Sequence, residues 1–196
     1  MFNRSSAFII CANSAWTKSC NSVLSEIGFA HIEHITDAKA LALVPFSRPL
    51  QFCFITPASD QNELKRVMRA IRGHNLDKHR FSPMIMLARS LSRRQIDDYI
   101  GLGMDDIVQF PCSLKFMGDR LKRQLCRPLK YFETDTYFGP DRRRDAEREV
   151  DHQERRKGEA DYRQYLIQRD PFEGVRMLDI YDHQAAQLAG TEAEAS

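Results

Sequence analysis

The chain has 196 residues, 42% hydrophobic and 29% charged, with a formal net charge of +2. The length suits one full domain plus a substantial extension, and the near balance of charge excludes a polycation. The charge is nevertheless uneven: residues 1–126 hold 17 Lys and Arg against 11 Asp and Glu (+6), and the remainder holds 12 against 16 (−4). Five scattered cysteines (Cys11, Cys20, Cys53, Cys112 and Cys126) show no Cys-x-x-Cys spacing. That argues against a disulfide framework or a zinc site and for a reducing compartment. The start, Met1-Phe2-Asn3-Arg4, lacks a signal-peptide layout, and no apolar stretch approaches the roughly 20 residues that span a bilayer. The expected location is the cytoplasm.

Along the chain, short apolar runs alternate with amphipathic ones. Ala7 to Cys11 reads as a strand buried on both faces. Asn13 or Ser14 then caps a helix carrying Val23, Leu24 and Ile27, closed by Gly28. His31 to Ile35 is a more polar strand suited to a sheet edge, and Thr36 or Asp37 opens a short helix with Leu41. Phe52 to Ile55 is the third strand. Asp60 caps a third helix whose apolar positions Leu64, Val67, Met68 and Ile71 keep a 3.6-residue period, with Lys65, Arg66, Arg69 and Arg72 on its polar side. Met84 to Leu87 is the fourth strand, and Ser92 caps a fourth helix with Ile96, Tyr99, Ile100 and Leu102. Asp106 to Gln109 is the fifth strand. A last helix from Ser113 turns Leu114, Met117, Leu121 and Leu125 to the core. Five strands each followed by a helix imply right-handed βαβ units, hence a flavodoxin-like, doubly wound five-stranded parallel sheet of order 2-1-3-4-5.

Residues 6 to about 126 resemble the receiver domain of bacterial response regulators. The resemblance rests on the first strand and helix, ending Leu24-Ser25-Glu26-Ile27-Gly28-Phe29, on the turn Gly101-Leu102-Gly103-Met104-Asp105-Asp106, and on Pro111 after the fifth strand. It implies a phosphorylation site at the strand ends, and position by position that site is replaced. The metal-binding acidic pair falls on Cys11 and Ala12, and the phosphoryl-accepting aspartate on Thr56. The hydroxyl residue falls on Ala88, the lysine on Phe110 and the switch aromatic on Ile107. The bond corresponding to Phe110-Pro111 is usually cis in the family. The implied protein is a degenerate, or pseudo-, receiver with no cofactor and no enzymatic role. Its expected function is that of a phosphorylation-independent signalling adaptor of the two-component type, acting by protein–protein interaction. Phosphorylation of Thr56 as an ester is disfavoured by its place at a strand end beside Pro57.

Two features are left for binding. Arg93 and Arg94 open the fourth helix near the C-terminal edge of the sheet, where such folds bind ligands. In the family, the face running from the fourth helix to the fifth helix docks partners or a second copy. The extension, residues 127–196, is expected to be a separate, charged, partly helical or disordered unit. It places Tyr137 and Phe138 before a Gly-Pro turn and then Arg142, Arg143 and Arg144, an anchor followed by an anion-ready patch. This string resembles a tail signature of several bacterial signalling proteins. The three arginines beside the aromatic pair give the alternative function, arginine-mediated binding of a cyclic dinucleotide or nucleic acid. Eight acidic residues from Asp141 to Asp161 oppose a polyanion, and no helix-turn-helix or zinc module is present, so DNA is the weaker partner. The six histidines show no metal-ligand or catalytic spacing. Apolar character returns at Tyr162–Ile167 and Val175–Tyr181.

Overall fold

Ser6–Ile10 (β1) is buried at every residue, which demands cover on both faces of the strand. In the computed structural model, which describes residues 1–11, 13–44, 47–57, 61–141 and 162–183, helices supply that cover on either side of a parallel sheet. The sheet also contains β2 (His31–Ile35), β3 (Gln51–Ile55), β4 (Met84–Ala88) and β5 (Asp106–Gln109), in the order β2-β1-β3-β4-β5. The flavodoxin-like expectation therefore holds. The two edge strands, β2 and β5, are the ones with partly exposed residues. Successive side chains alternate between two cores. Ala7, Ile9, Phe52 and Phe54 point to one, with Leu24, Met117 and Leu121. Phe8, Ile10, Cys53 and Ile55 point to the other, with Leu64, Val67 and Tyr99.

Helix α1 (Ser14–Ile27) is capped by Asn13, whose side chain accepts from the Ala15 and Trp16 amides, and it ends at left-handed Gly28. Asp37 caps α2 (Ala38–Leu41). Helix α3 spans Gln61–Arg72, and its expected cap, Asp60, lies outside the described residues. A single helical turn, α4 (Asp77–Arg80), was not anticipated. The anticipated fourth helix is therefore α5 (Arg93–Gly101), opened by a reciprocal Ser92–Gln95 capping box. The last helix, α6 (Leu114–Lys122), starts from Ser113. Leu114, the first residue of α6, is 42% exposed rather than in the core; the buried face of the helix begins at Met117.

The extension departs furthest from expectation. Over its described residues it is neither helical nor disordered: β6 (Pro128–Glu133), β7 (Phe138–Pro140), β8 (Arg163–Asp170) and β9 (Gly174–Asp182) form an antiparallel sheet of order β7-β6-β8-β9. The physical reason is period-2 alternation. Along β8, Tyr165, Ile167 and Arg169 are buried and their neighbours are not. The inward face meets Phe81, just ahead of β4, with ring centroids 5.1 Å from Tyr131 and 5.4 Å from Tyr165. Gly103, at φ +87°, lets the β7 backbone approach the turn before β5; a Cβ there would fall 2.2 Å from the Phe138 carbonyl oxygen. The small sheet thus covers the N-terminal ends of β4 and β5, opposite the edge where such folds hold their ligands.

Candidate functional site

The C-terminal edge of the parallel sheet gathers Cys11, Thr56, Ala88 and Phe110. Ala12 lies outside the described residues. Cys11 is buried; its thiol donates to the Asn13 carbonyl at 3.3 Å and accepts the Asn13 N–H at 3.2 Å. The Thr56 N–H donates to the Ile10 carbonyl at 3.3 Å, and the Phe110 N–H to the Ala88 carbonyl at 2.9 Å. The Phe110-Pro111 bond is cis. Phe110 is 3% exposed, with the Trp16 ring 5.4 Å away and tilted against it, and the Arg89 guanidinium lies 5.8 Å from the Trp16 ring centroid. These four residues therefore offer one thiol, one hydroxyl and a buried aromatic ring. Among the described residues, no cluster of three or more His, Cys, Asp or Glu is placed to hold a metal ion.

The residues singled out for binding are not brought together. Arg93 is 90% exposed on α5 and pairs with Asp97 at 3.4 Å; Arg94 is exposed beside it. Tyr137 and Phe138 sit at the opposite end of the strands, against Gly103. The Tyr137 hydroxyl donates to the Pro140 carbonyl at 3.0 Å, and the Phe138 ring lies 4.0 Å beneath the Arg80 guanidinium. Arg142, Arg143 and Arg144 lie outside the described residues.

A buried polar hub at the junction of the two sheets escaped the sequence reading. Asp105, in the turn before β5, is held by Arg72 at 2.7 Å and by Arg169 at 2.8 Å. It also accepts from the Met84 N–H at 2.8 Å and from the Tyr131 hydroxyl. Arg72, expected on the polar side of its helix, is 5% exposed and also donates to the carbonyls of Arg80, Ser82 and Gly103. Arg169 is fully buried and donates to the Phe81 carbonyl, the Gln124 side chain and Tyr131. The one signal for it in the sequence is its phase, an arginine on the same face of the strand as Tyr165 and Ile167. Burial alone would raise the Asp105 carboxyl, but Arg169 and Arg72 outweigh it and hold the pKa down to about 2. Beside the hub, a groove of about 890 Å³ runs between α3 and the β6–β7 turn, with Lys65, Arg69, His74 and Tyr137 in its walls.

Acid should loosen this junction in two stages. His79 is 6% exposed, its Nδ1 lies 3.0 Å from His74 Nε2, and burial, His74 and Lys78 push its pKa from 6.5 to about 4. A depressed histidine takes up its proton more readily in the unfolded chain, so stability falls as pH drops from 6.5 towards 4. The two pKa values set this loss on the order of 3 kcal/mol. Asp105 adds a loss of about 2 kcal/mol below pH 3.8, because its stabilisation is present above that value and vanishes as pH falls through about 2. Urea titrations across pH should show both windows, and His79→Gln should flatten the upper one alone. An unchanged upper slope in that variant would contradict the assignment.

No family model matches the chain, and no curated protein matches it. Solved structures do. A signal receiver domain of an HD domain-containing protein from Pseudomonas fluorescens Pf-5 is 13% identical, with a TM-score of 0.51, over 63% of this chain and 88% of that one. A two-component response regulator from Clostridium difficile is 16% identical, with a TM-score of 0.50, over 61% of this chain and 93% of that one. At such identities the likeness is one of architecture: the parallel sheet and its helices have the fold of response-regulator receiver domains.

Proposed function

We propose that the chain is a receiver-like signalling adaptor that works by protein–protein contact and without aspartyl phosphorylation. The observation that carries this reading is the seat of Phe110. Its ring, buried against Trp16, occupies the strand end at which the receiver resemblance puts a lysine. An acyl phosphate needs a carboxylate nucleophile, and Mg²⁺ needs oxygen ligands, for which carboxylates usually supply the charge. Thr56, Ala88 and Cys11 bring no carboxylate, and the Thr56 hydroxyl is uncharged. A plugged edge favours one fixed conformation, so partner choice falls to the surface. Arg93 and Arg94, exposed at the start of α5, suit an acidic partner on the α5-to-α6 face. The arginine-mediated reading for a cyclic dinucleotide or nucleic acid has less support, because Tyr137 and Phe138 are engaged within the fold.

Incubation with acetyl phosphate and Mg²⁺ should leave the intact mass and the oligomeric state unchanged. A stoichiometric, base-labile phosphoprotein would overturn the proposal. In an affinity capture, Arg93→Glu with Arg94→Glu should release partners that the parent chain retains, since both side chains are solvent-facing and their replacement leaves the fold intact.

A further inference from the structure

Among the described residues, β9 closes the antiparallel sheet, paired with β8 on one side and with no strand on the other. An unpaired edge presents backbone N–H and C=O groups to any second strand, and monomers ordinarily keep such edges short. This one is nine residues long, with Leu178 40%, Ile180 54% and Tyr181 43% exposed. Its start is fixed: a Cβ at Gly174 would meet the Pro49 carbonyl oxygen at 2.5 Å, so the open edge begins after that residue.

The pattern of side chains along this edge is self-complementary. Val175, Met177 and Ile180 stand opposite Arg169, Ile167 and Tyr165 of β8 and share their inward face. Arg176 and Asp179 stand opposite Gln168 and Leu166 and share the outward face. Residues three apart would ordinarily point to opposite sides of a strand. Here the β-bulge at Leu178 inserts one residue between them and restores Arg176 and Asp179 to the same side.

We propose that two copies of this chain pair antiparallel through β9, about a two-fold axis at Met177. In that register Arg176 faces the partner's Asp179 and Asp179 faces the partner's Arg176, while Val175 faces the partner's Ile180. The two four-stranded sheets become one eight-stranded sheet. Sliding the pairing one step in either direction sets Arg176 against its own copy or Asp179 against its own copy, so charge selects a single register. An isologous contact of this kind closes on itself and leaves no further edge of the same type. The contact is confined to one strand from each copy, a small area for an interface, so the dimer is concentration-dependent rather than permanent. The inference is independent of what the α5 face binds and of the phosphorylation reading.

The test uses the full chain and sedimentation velocity over a concentration series. The parent protein should dimerise. Arg176→Asp and Asp179→Arg should each weaken dimerisation about tenfold or more, because each turns two attractive cross-strand pairs into repulsive ones. Both side chains are exposed; Arg176 donates to the half-buried Gln168 side chain at 2.7 Å and Asp179 accepts the Ile180 N–H at 2.9 Å, neither of them a core contact, so nearly unchanged melting curves should accompany the loss. Mixing the two single variants should restore a dimer, since each supplies the charges the other lacks. A parent chain that stays monomeric up to millimolar concentration overturns the proposal. So does a dimer indifferent to both substitutions, which would place self-association elsewhere, or a mixture that fails to associate.

Discussion

Replacing Arg169 with alanine should cost the fold about 3–5 kcal/mol, the range for breaking a buried ion pair by removing one partner. The side chain has no exposed surface and serves four acceptors on four different segments: the Phe81 carbonyl, Gln124, Asp105 and the Tyr131 hydroxyl. Alanine leaves the Phe81 carbonyl and the Gln124 amide without that donor, in a place that water cannot readily enter. Asp105 keeps Arg72, which makes the loss smaller than full isolation of a carboxylate. Arg169→Lys should fall between, because one ammonium can keep the charge but cannot span acceptors on four segments. The hub holds two guanidinium groups and one carboxylate, so its carboxylate is the more critical member. Asp105→Asn should therefore exceed Arg169→Ala, leaving two buried cations with no anion between them. Urea denaturation of the three variants gives the order directly; a change below about 1 kcal/mol for Arg169→Ala would show that the junction contributes little to stability.

The same hub explains where sequence reasoning stopped. The parallel sheet was legible because its central strands are unbroken apolar runs, and local rules located caps such as Ser92, Ser113 and Asn13. The place of Phe110 at the end of β5 was legible too, since it directly precedes Pro111. Arg72 and Arg169 were not. Their partner Asp105 is 33 residues from one and 64 from the other, and nothing local distinguishes these arginines from solvated ones. Asp105 itself reads as part of a turn. The antiparallel sheet was hidden for a related reason: β6 pairs with β8 across the densely charged stretch that follows Asp141, so neither strand announces its neighbour. Leu114 shows the reverse error, an apolar residue whose helical phase suggests the core but whose helix buries nothing before Met117.

A chain ending at Cys126 should be markedly destabilised and should expose an apolar surface at the foot of β4. Phe81 has no exposed area in the intact protein, and its neighbours Tyr131, Phe138 and Tyr165 all belong to the extension. Uncovering that ring alone costs about 2–3 kcal/mol of hydrophobic stabilisation. The cut also removes Arg169 and Tyr131 from Asp105, whose remaining partners are Arg72 and the Met84 amide. Val175, which packs from β9 against the core beside β1 and β3, is lost as well. The truncated chain should bind a hydrophobic dye that the full chain does not, and its urea midpoint should fall sharply. Equal midpoints would establish the extension as a free appendage. With the expected result, a partner lost on truncation says nothing about where that partner binds, because the receiver-like sheet has been damaged at the same time. Arg93→Glu with Arg94→Glu, on the far side of the fold from the hub, separates the two effects.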